Sequence, residues 1–170
     1  KNRCPEGEIT VVIGKRNDFS VEEESILYSS GVMRVFNDEV TAKARVIGQK
    51  IDDNEVIGRL DLRNEIIFTI DGDGSKDFDD AVSLSSDSDG NYILGVHIAD
   101  VTAYVKHGDA IDEEAFERGT SVYLPDRVIP MLPFELSDGI CSLNEGVDRL
   151  TLSVICTEKL LKVLSGLDTE

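Results

Sequence analysis

Ile66-Ile67-Phe68-Thr69-Ile70-Asp71-Gly72-Asp73-Gly74-Ser75-Lys76-Asp77-Phe78-Asp79-Asp80-Ala81-Val82-Ser83-Leu84 is the stretch on which the fold turns. Its first five residues form an uninterrupted β-branched and aromatic run, the pattern of a short buried strand, and it ends at Asp71. The next nine residues carry one apolar side chain, Phe78, and Ala81-Val82-Ser83-Leu84 resumes as a strand. Five carboxylates (Asp71, Asp73, Asp77, Asp79 and Asp80) therefore fall between two strands, opposed only by Lys76. A hairpin-like return puts Asp71, at the end of one strand, and Asp77, Asp79 and Asp80, at the start of the next, on the same edge of a sheet.

Outward from this stretch the elements are punctuated by turn chemistry. Downstream, Asp87, Asp89, Gly90 and Asn91 mark a turn, and Tyr92–Val101 reads as a third strand hairpin-paired to the second. Asp109 caps a helix with Ile111, Ala115 and Phe116 on one face and Gly119 at its end. Val122–Leu124 and Val128–Leu132 are short extended pieces among Pro125, Pro130 and Pro133, and Leu150–Cys156 is a last strand. Upstream, Glu8–Ile13 reads as a lone strand, Ser20 with Glu23 as a capping box opening a helix that stops near Gly31, and Asn37 as the cap of a second helix ending at Gly48. The prediction is an α+β (mixed α/β) domain from about residue 60, preceded by a polar helical connector over 15–60.

Composition narrows the class. The 170 residues carry a net charge of −17, with 34 acids against 17 bases, so the chain either avoids nucleic acid, or meets phosphates through bound divalent metal, or has its basic surface on parts outside this sequence. Cys4, Cys141 and Cys156 are odd in number and lack CxxC spacing, which argues against a zinc site or disulfide framework and for a reducing, cytoplasmic setting. No apolar run reaches membrane-spanning length. Lys1 in place of an initiator methionine is the mark expected of a piece of a longer protein.

The carboxylate cluster points to a hard cation. Two like charges about 4 Å apart repel by roughly 4 kcal/mol at an effective dielectric near 20. A divalent ion relieves this, and Mg²⁺ typically joins carboxylates to substrate phosphate while keeping waters. Such a site would activate water for phosphodiester hydrolysis. A solvated acidic loop is the bland alternative. A calcium loop starting at Asp71 fits worse, since Lys76 and Val82 stand where roughly the sixth and twelfth places want Gly and Glu.

Asp61–Asn64 (DLRN), Phe68–Val82 (FTIDGDGSKDFDDAV), Gly95–Pro133 and Leu136–Val154 (LSDGICSLNEGVDRLTLSV) together resemble, in order and without large gaps, the opening of the catalytic (RNB) domain of the ribonuclease II/R family. The GVHIADV and VDRLTLS wording is closer to the bacterial ribonuclease R branch. Residues 8–14 resemble the closing strand of the OB, or cold-shock-like, domain that precedes it. The resemblance divides the chain into 1–14 (end of that domain), 15–60 (connector) and 61–170 (N-terminal part of the catalytic domain).

What the resemblance implies is processive 3′-to-5′ hydrolysis of single-stranded RNA from its 3′ end to nucleoside 5′-monophosphates, with Mg²⁺ or Mn²⁺. The family's catalytic aspartates fall on Asp71, Asp77, Asp79 and Asp80. Asp71 and Asp80 are then direct metal ligands, Asp77 a further metal or supporting ligand, and Asp79 the residue indispensable for cleavage but not for RNA binding. The aromatic clamp on RNA falls on Tyr123, where stacking suits a sequence-neutral enzyme. A basic residue near the scissile phosphate, a second clamp and an S1 domain would lie beyond Glu170, so this chain alone is expected to be weak or inactive. Asp73-Gly74-Ser75 departs in composition, not length, from the family's usual loop, and Lys159–Glu170 matches the family poorly. The alternative function is a non-catalytic acidic module that binds metal or RNA.

Other polar residues have plainer readings. His97 and His107 lack partners at metal or triad spacing and read as core or surface residues. Asp100 reads as a turn cap or a supporter of the cluster, Arg127 and Arg149 as surface or phosphate-contacting residues, and Tyr104 and Phe134 as packing. Ser142 has no base beside it and is rejected as a nucleophile.

Overall fold

The computed structural model describes residues 7–16 and 18–157, and the side chain of Phe19 is not described. Cys4, part of the 1–14 segment and the tail Lys159–Glu170 lie outside the described residues. The chain forms two compact units that divide between Val35 and Phe36.

The first unit contains one helix, α1 (Phe19–Ser29). Its cap is Asp18 rather than the expected Ser20: Asp18 Oδ1 accepts from the Ser20 amide at 3.1 Å and the Ser20 hydroxyl at 2.7 Å. Asp18 precedes the first turn and is a strong cap residue in its own right, so Ser20 is drawn inside the helix. The helix stops where Gly31 takes φ 70°, as expected. The predicted strand Glu8–Ile13 is not formed. A strand exists only through pairing, and no strand among the described residues pairs with it.

The second unit is a four-stranded antiparallel sheet with helices against it. Its strands are β1 (Ile67–Phe68), β2 (Asp80–Ser86), β3 (Tyr92–Ala99) and β6 (Thr151–Thr157), in that spatial order. The predicted β2–β3 hairpin is present, with Asp80 opposite Ile98 and Ser86 opposite Tyr92. Its turn is built by Asp87, whose Oδ1 accepts from the amides of Asp89 and Asn91 at 2.9 Å each. Between β3 and β6 lie α3 (Ala110–Arg118) and a small hairpin of β4 (Val122–Tyr123) and β5 (Val128–Ile129). A wide turn over Glu135–Ile140 follows, closed by the Cys141 amide on the Leu136 carbonyl at 3.0 Å. The sequence reading did not anticipate this turn.

Both predicted caps in this unit are present. Asn37 Oδ1 accepts from the Val40 amide at 2.9 Å to start α2 (Asp38–Val46). Asp109 Oδ1 accepts from the Ile111 and Asp112 amides to start α3, which ends at Gly119 with φ 72°. The core joins Val40 and Ala44 of α2 to Ile111, Leu136, Ile140, Ala99 and Cys141. α2 is thus part of the sheet unit's interior, not of a separate polar connector. Phe116, expected on the buried face of α3, is 86% exposed, because the face that packs on α2 is that of Ile111, Glu114 and Ala115. Glu114 and Arg118 form a buried ion pair at 2.7 Å there, and Glu114 also accepts from the Asn37 side chain at 2.7 Å.

The two faces of the sheet are unlike. Ala81, Gly95, His97 and Ala99 point one way and are buried or half-buried; Leu84, Ile98, Leu152 and Val154 point the other and are 56%, 47%, 58% and 61% exposed. The run Ile66–Ile70, read as a buried strand, contributes only two paired residues, and Ile66, Phe68 and Ile70 are exposed. Its apolar composition belongs to the open side of the sheet. Among the described residues no helix is long and apolar enough to cross a membrane.

Candidate active site

The β1–β2 ladder pairs Ile67 with Ser83 and Phe68 with Val82. Antiparallel pairing makes the chain leaving β1 run beside the chain entering β2, so Asp71 comes to the margin occupied by Asp77, Asp79 and Asp80. Asp79 records the gathering. Protein packed around its carboxyl disfavours the charged form, and the negative charges of Asp77, Asp80 and Asp71 add to this, so its pKa is raised although the side chain keeps solvent access. The expected group of four is therefore one electrostatic neighbourhood centred on Asp79. Asp73, the fifth carboxylate of the stretch, is not among the charges that raise Asp79.

The cluster is not a closed ligand cage. Among the described residues, no three His, Cys, Asp or Glu side chains converge as a ready-made set around one ion. Carboxylate oxygens of this kind still suit a hard divalent cation, which completes its shell with waters and substrate phosphate and needs only one or two protein ligands.

The backbone of the cluster is pinned. The Phe78 amide donates to Ser142 Oγ at 3.1 Å, and the Phe78 carbonyl accepts from the Leu143 amide at 2.9 Å. Ser142 Oγ donates to the Lys76 carbonyl at 2.6 Å. The Asp79 carbonyl accepts from the Ala99 amide at 2.9 Å, which ties the segment to the end of β3.

Tyr123 reaches the cluster from the β4–β5 hairpin. That hairpin turns at Leu124-Pro125-Asp126-Arg127, closed by the Leu124 amide on the Arg127 carbonyl at 2.8 Å. Pro125 sits where a tight turn wants a preset φ. The Tyr123 hydroxyl donates to Asp77 Oδ2 at 2.5 Å. This bond, with burial and the charges of Asp77, Asp79 and Asp138, pushes the phenol up to about 12. Tyr123 as a whole is 64% exposed. The proximity of Tyr123 to Asp77 had no signal in the sequence, since 46 residues separate them.

The remaining polar residues settle into structural places. Asp100 is buried; burial alone would raise its carboxyl, but Thr102 (2.7 Å) and Arg59 (2.6 Å) hold it lower than usual. His97 lies in the sheet with Nε2 2.9 Å from Ser83 Oγ and Nδ1 2.8 Å from Ser153 Oγ. His107 is exposed beside Asp112 at 3.3 Å. Arg149 donates to the Ser142 carbonyl at 2.8 Å, and Arg127 pairs with Asp126 at 3.0 Å. Tyr104 packs against the core and Phe134 is exposed. Cys141 and Cys156 are free, buried thiols, with Cys141 pushed up to about 12 by burial first and then by Asp79.

Residues 59–162, more than half the chain, match the model of the RNB domain. The chain belongs to the RNB family. Among curated relatives of this RNB chain, ribonuclease R of Thermotoga maritima is 52% identical over 152 residues, covering 88% of this chain and 21% of the relative. Ribonuclease R 1 of Lactococcus lactis is 49% identical over 150 residues, covering 88% and 18%. The chain thus spans about a fifth of the length of these relatives. Among solved structures, Mycoplasma genitalium RNase R in complex with ribose methylated single-stranded RNA superposes with TM-score 0.74 at 27% identity, over 93% of this chain and 28% of that one. A yeast protein, Ssd1, described as a pseudonuclease, shares the fold with TM-score 0.67 at 24% identity, over 87% of this chain and 19% of that one. The mixed helix-and-sheet RNB fold expected from the sequence is the fold observed.

Proposed function

We propose that this RNB chain carries the aspartate-bearing part of a ribonuclease R-type exoribonuclease, which hydrolyses single-stranded RNA processively from its 3′ end to nucleoside 5′-monophosphates. The observation that carries the reading is the gathering of Asp71, Asp77 and Asp80 around Asp79 within a matched RNB domain. The RNA-bound M. genitalium relative supports single-stranded RNA as the ligand. Asp71 and Asp80 would hold Mg²⁺ or Mn²⁺, with Asp77 and Asp79 completing the set. The cation supplies charge neutralisation at the scissile phosphate and a more acidic bound water.

This chain's own residues have separable tasks. Asp79, whose carboxyl is held above its usual range by burial and by the charges of Asp77, Asp80 and Asp71, would be the acid indispensable for cleavage. Tyr123 offers a ring for a terminal base and a hydroxyl that fixes Asp77. Residues 1–14 would be the end of an OB-like domain, with 8–14 forming its closing strand once a partner strand pairs with it, and the exposed apolar side of the sheet fits further catalytic-domain residues, where the basic groups for RNA would also lie. A cytoplasmic location accords with the free thiols.

The test is Asp79→Asn in the natural full-length protein. Hydrolysis of single-stranded RNA should be abolished and RNA binding kept; retained hydrolysis removes the role given to Asp79. A Mn²⁺ titration of this chain beside an Asp71→Asn/Asp80→Asn double variant tests the metal site, and equal binding by both overturns it.

A further inference from the structure

We infer that Ser142 is a positioning residue for the aspartate cluster: its hydroxyl clips the Lys76–Phe78 backbone so that Asp77 and Asp79 stand at fixed places. The inference rests on the exoribonuclease reading of the cluster, but it concerns a residue 62 positions beyond Asp80 with no chemistry of its own in that reaction.

Ser142 is fully buried, at 0% exposure. Its hydroxyl uses both functions on one short segment: it donates to the Lys76 carbonyl at 2.6 Å and accepts from the Phe78 amide at 3.1 Å. Those two groups bracket Asp77. The next residue extends the clip, since the Leu143 amide donates to the Phe78 carbonyl at 2.9 Å, immediately before Asp79. Together these bonds satisfy the backbone polar groups of a segment that has no ladder of its own.

The clip is itself anchored. The Ser142 amide donates to the Gly139 carbonyl at 3.1 Å, and its carbonyl accepts from Arg149 Nε at 2.8 Å. Gly139 is where the wide turn departs from helical geometry, at φ −101° and ψ −115°, and Gln49 lies so close that a Cβ there would meet its Oε1 at 2.5 Å. The turn thus delivers Ser142 inward on a rigid base. Like charges at Asp77, Asp79 and Asp80 push the segment apart, and the clip opposes that push from the backbone side. Ser142→Ala removes both hydroxyl bonds and leaves the part-buried Lys76 carbonyl and Phe78 amide without these partners.

Ser142→Ala in the natural full-length protein is compared with wild type, with Ile111→Val as a core variant remote from the cluster, and with Asp79→Asn. The readouts are single-turnover rate against Mn²⁺ concentration and affinity for a single-stranded oligoribonucleotide. Ser142→Ala should raise the Mn²⁺ concentration for half-maximal rate and lower the saturating rate roughly ten- to a hundredfold, as small misplacements of reacting groups do, with RNA affinity unchanged. Ile111→Val should alter neither. A Ser142→Ala variant matching wild type or Ile111→Val in both readouts overturns the inference. Should that variant fail to fold, amide exchange of wild type decides: Phe78 should exchange as slowly as the β2–β3 ladder, and fast exchange overturns the clip. A wild-type protein that fails to hydrolyse single-stranded RNA at any Mn²⁺ concentration would instead remove the exoribonuclease reading, which keeps the two failures apart.

Discussion

Tyr123 Oη donates to Asp77 Oδ2 across 2.5 Å, so the residue expected to stack on RNA and a residue expected to serve the metal site are one hydrogen-bonded pair. The phenol, pushed up to about 12 chiefly by this bond, stays protonated and remains a donor at any physiological pH. Ring and hydroxyl then have different tasks. In the natural full-length protein, Tyr123→Phe should leave RNA affinity unchanged and lower the single-turnover rate several-fold. Tyr123→Ala should in addition weaken RNA binding by about 1–3 kcal/mol, the worth of one stacked base. Equal affinity losses in the two variants, measured by fluorescence anisotropy, would show that the hydroxyl and not the ring binds RNA.

Gly95 is required by the sheet interior. A Cβ there would lie 2.3 Å from Ser83 Oγ and 2.7 Å from His97 Nε2, inside the hydrogen bond that joins them. Gly95→Ala should destabilise the domain by roughly 1–3 kcal/mol, the usual cost of overpacking. Urea denaturation monitored by circular dichroism measures it, and an unchanged midpoint would mean that the Ser83–His97–Ser153 bridge bends without cost.

His97 makes stability depend on pH. Burial lowers its pKa below the usual 6.5, so the unfolded chain binds the proton more readily than the folded one. Its contribution is full above pH 6.5 and is lost as pH falls through the folded-state pKa. Urea midpoints should decline as pH drops from neutrality, and the decline should persist in His107→Gln, since His107 is exposed. A profile that flattens in His107→Gln would assign the effect to the wrong histidine.

Asp109 stabilises α3 twice, as N-cap and as partner of Lys43 at 2.8 Å. Burial would raise its carboxyl, but Lys43 and the amides of Lys106, Asp112 and Ile111 overcome this and hold it at about 2. The stabilisation is present above its usual pKa of 3.8 and disappears as pH falls toward 2. Asp109→Ala should cost about 1 kcal/mol at neutral pH from the cap alone. The difference from wild type should shrink in acid as the charge is lost, and an undiminished difference at the acid end would point to packing instead of charge.

Local chemistry was legible in the sequence. Asn37, Asp87, Asp109 and Gly119 each act within a few residues of themselves, and their caps and turns are where the residue types say they should be. The Asp71–Asp80 stretch was legible because acids between two strands return to one margin whatever the rest of the chain does. Distant relationships were not. Glu8–Ile13 has the composition of a strand, but pairing is decided by a partner, and none is present among the described residues. Phe116 and Ile66–Ile70 are apolar yet exposed, because periodicity identifies an apolar side without saying what covers it. Ser142 drew notice only as a nucleophile to be rejected; its bonds lie 64 and 66 residues away.

The segment between Asp71 and Asp80 is anchored unevenly. Residues 76–79 are tied at four backbone groups, whereas the tip has one turn bond, the Ser75 amide on the Gly72 carbonyl at 3.2 Å, with Gly74 at φ 90° and open space around it. Substitutions at Asp73 and Ser75 should therefore disturb the three acids that follow less than they disturb Asp71, whereas Gly74, at φ 90°, resists a side chain. The tip is thus where an inserted probe meets the fewest backbone bonds, with Asp71 the acid that it would disturb first.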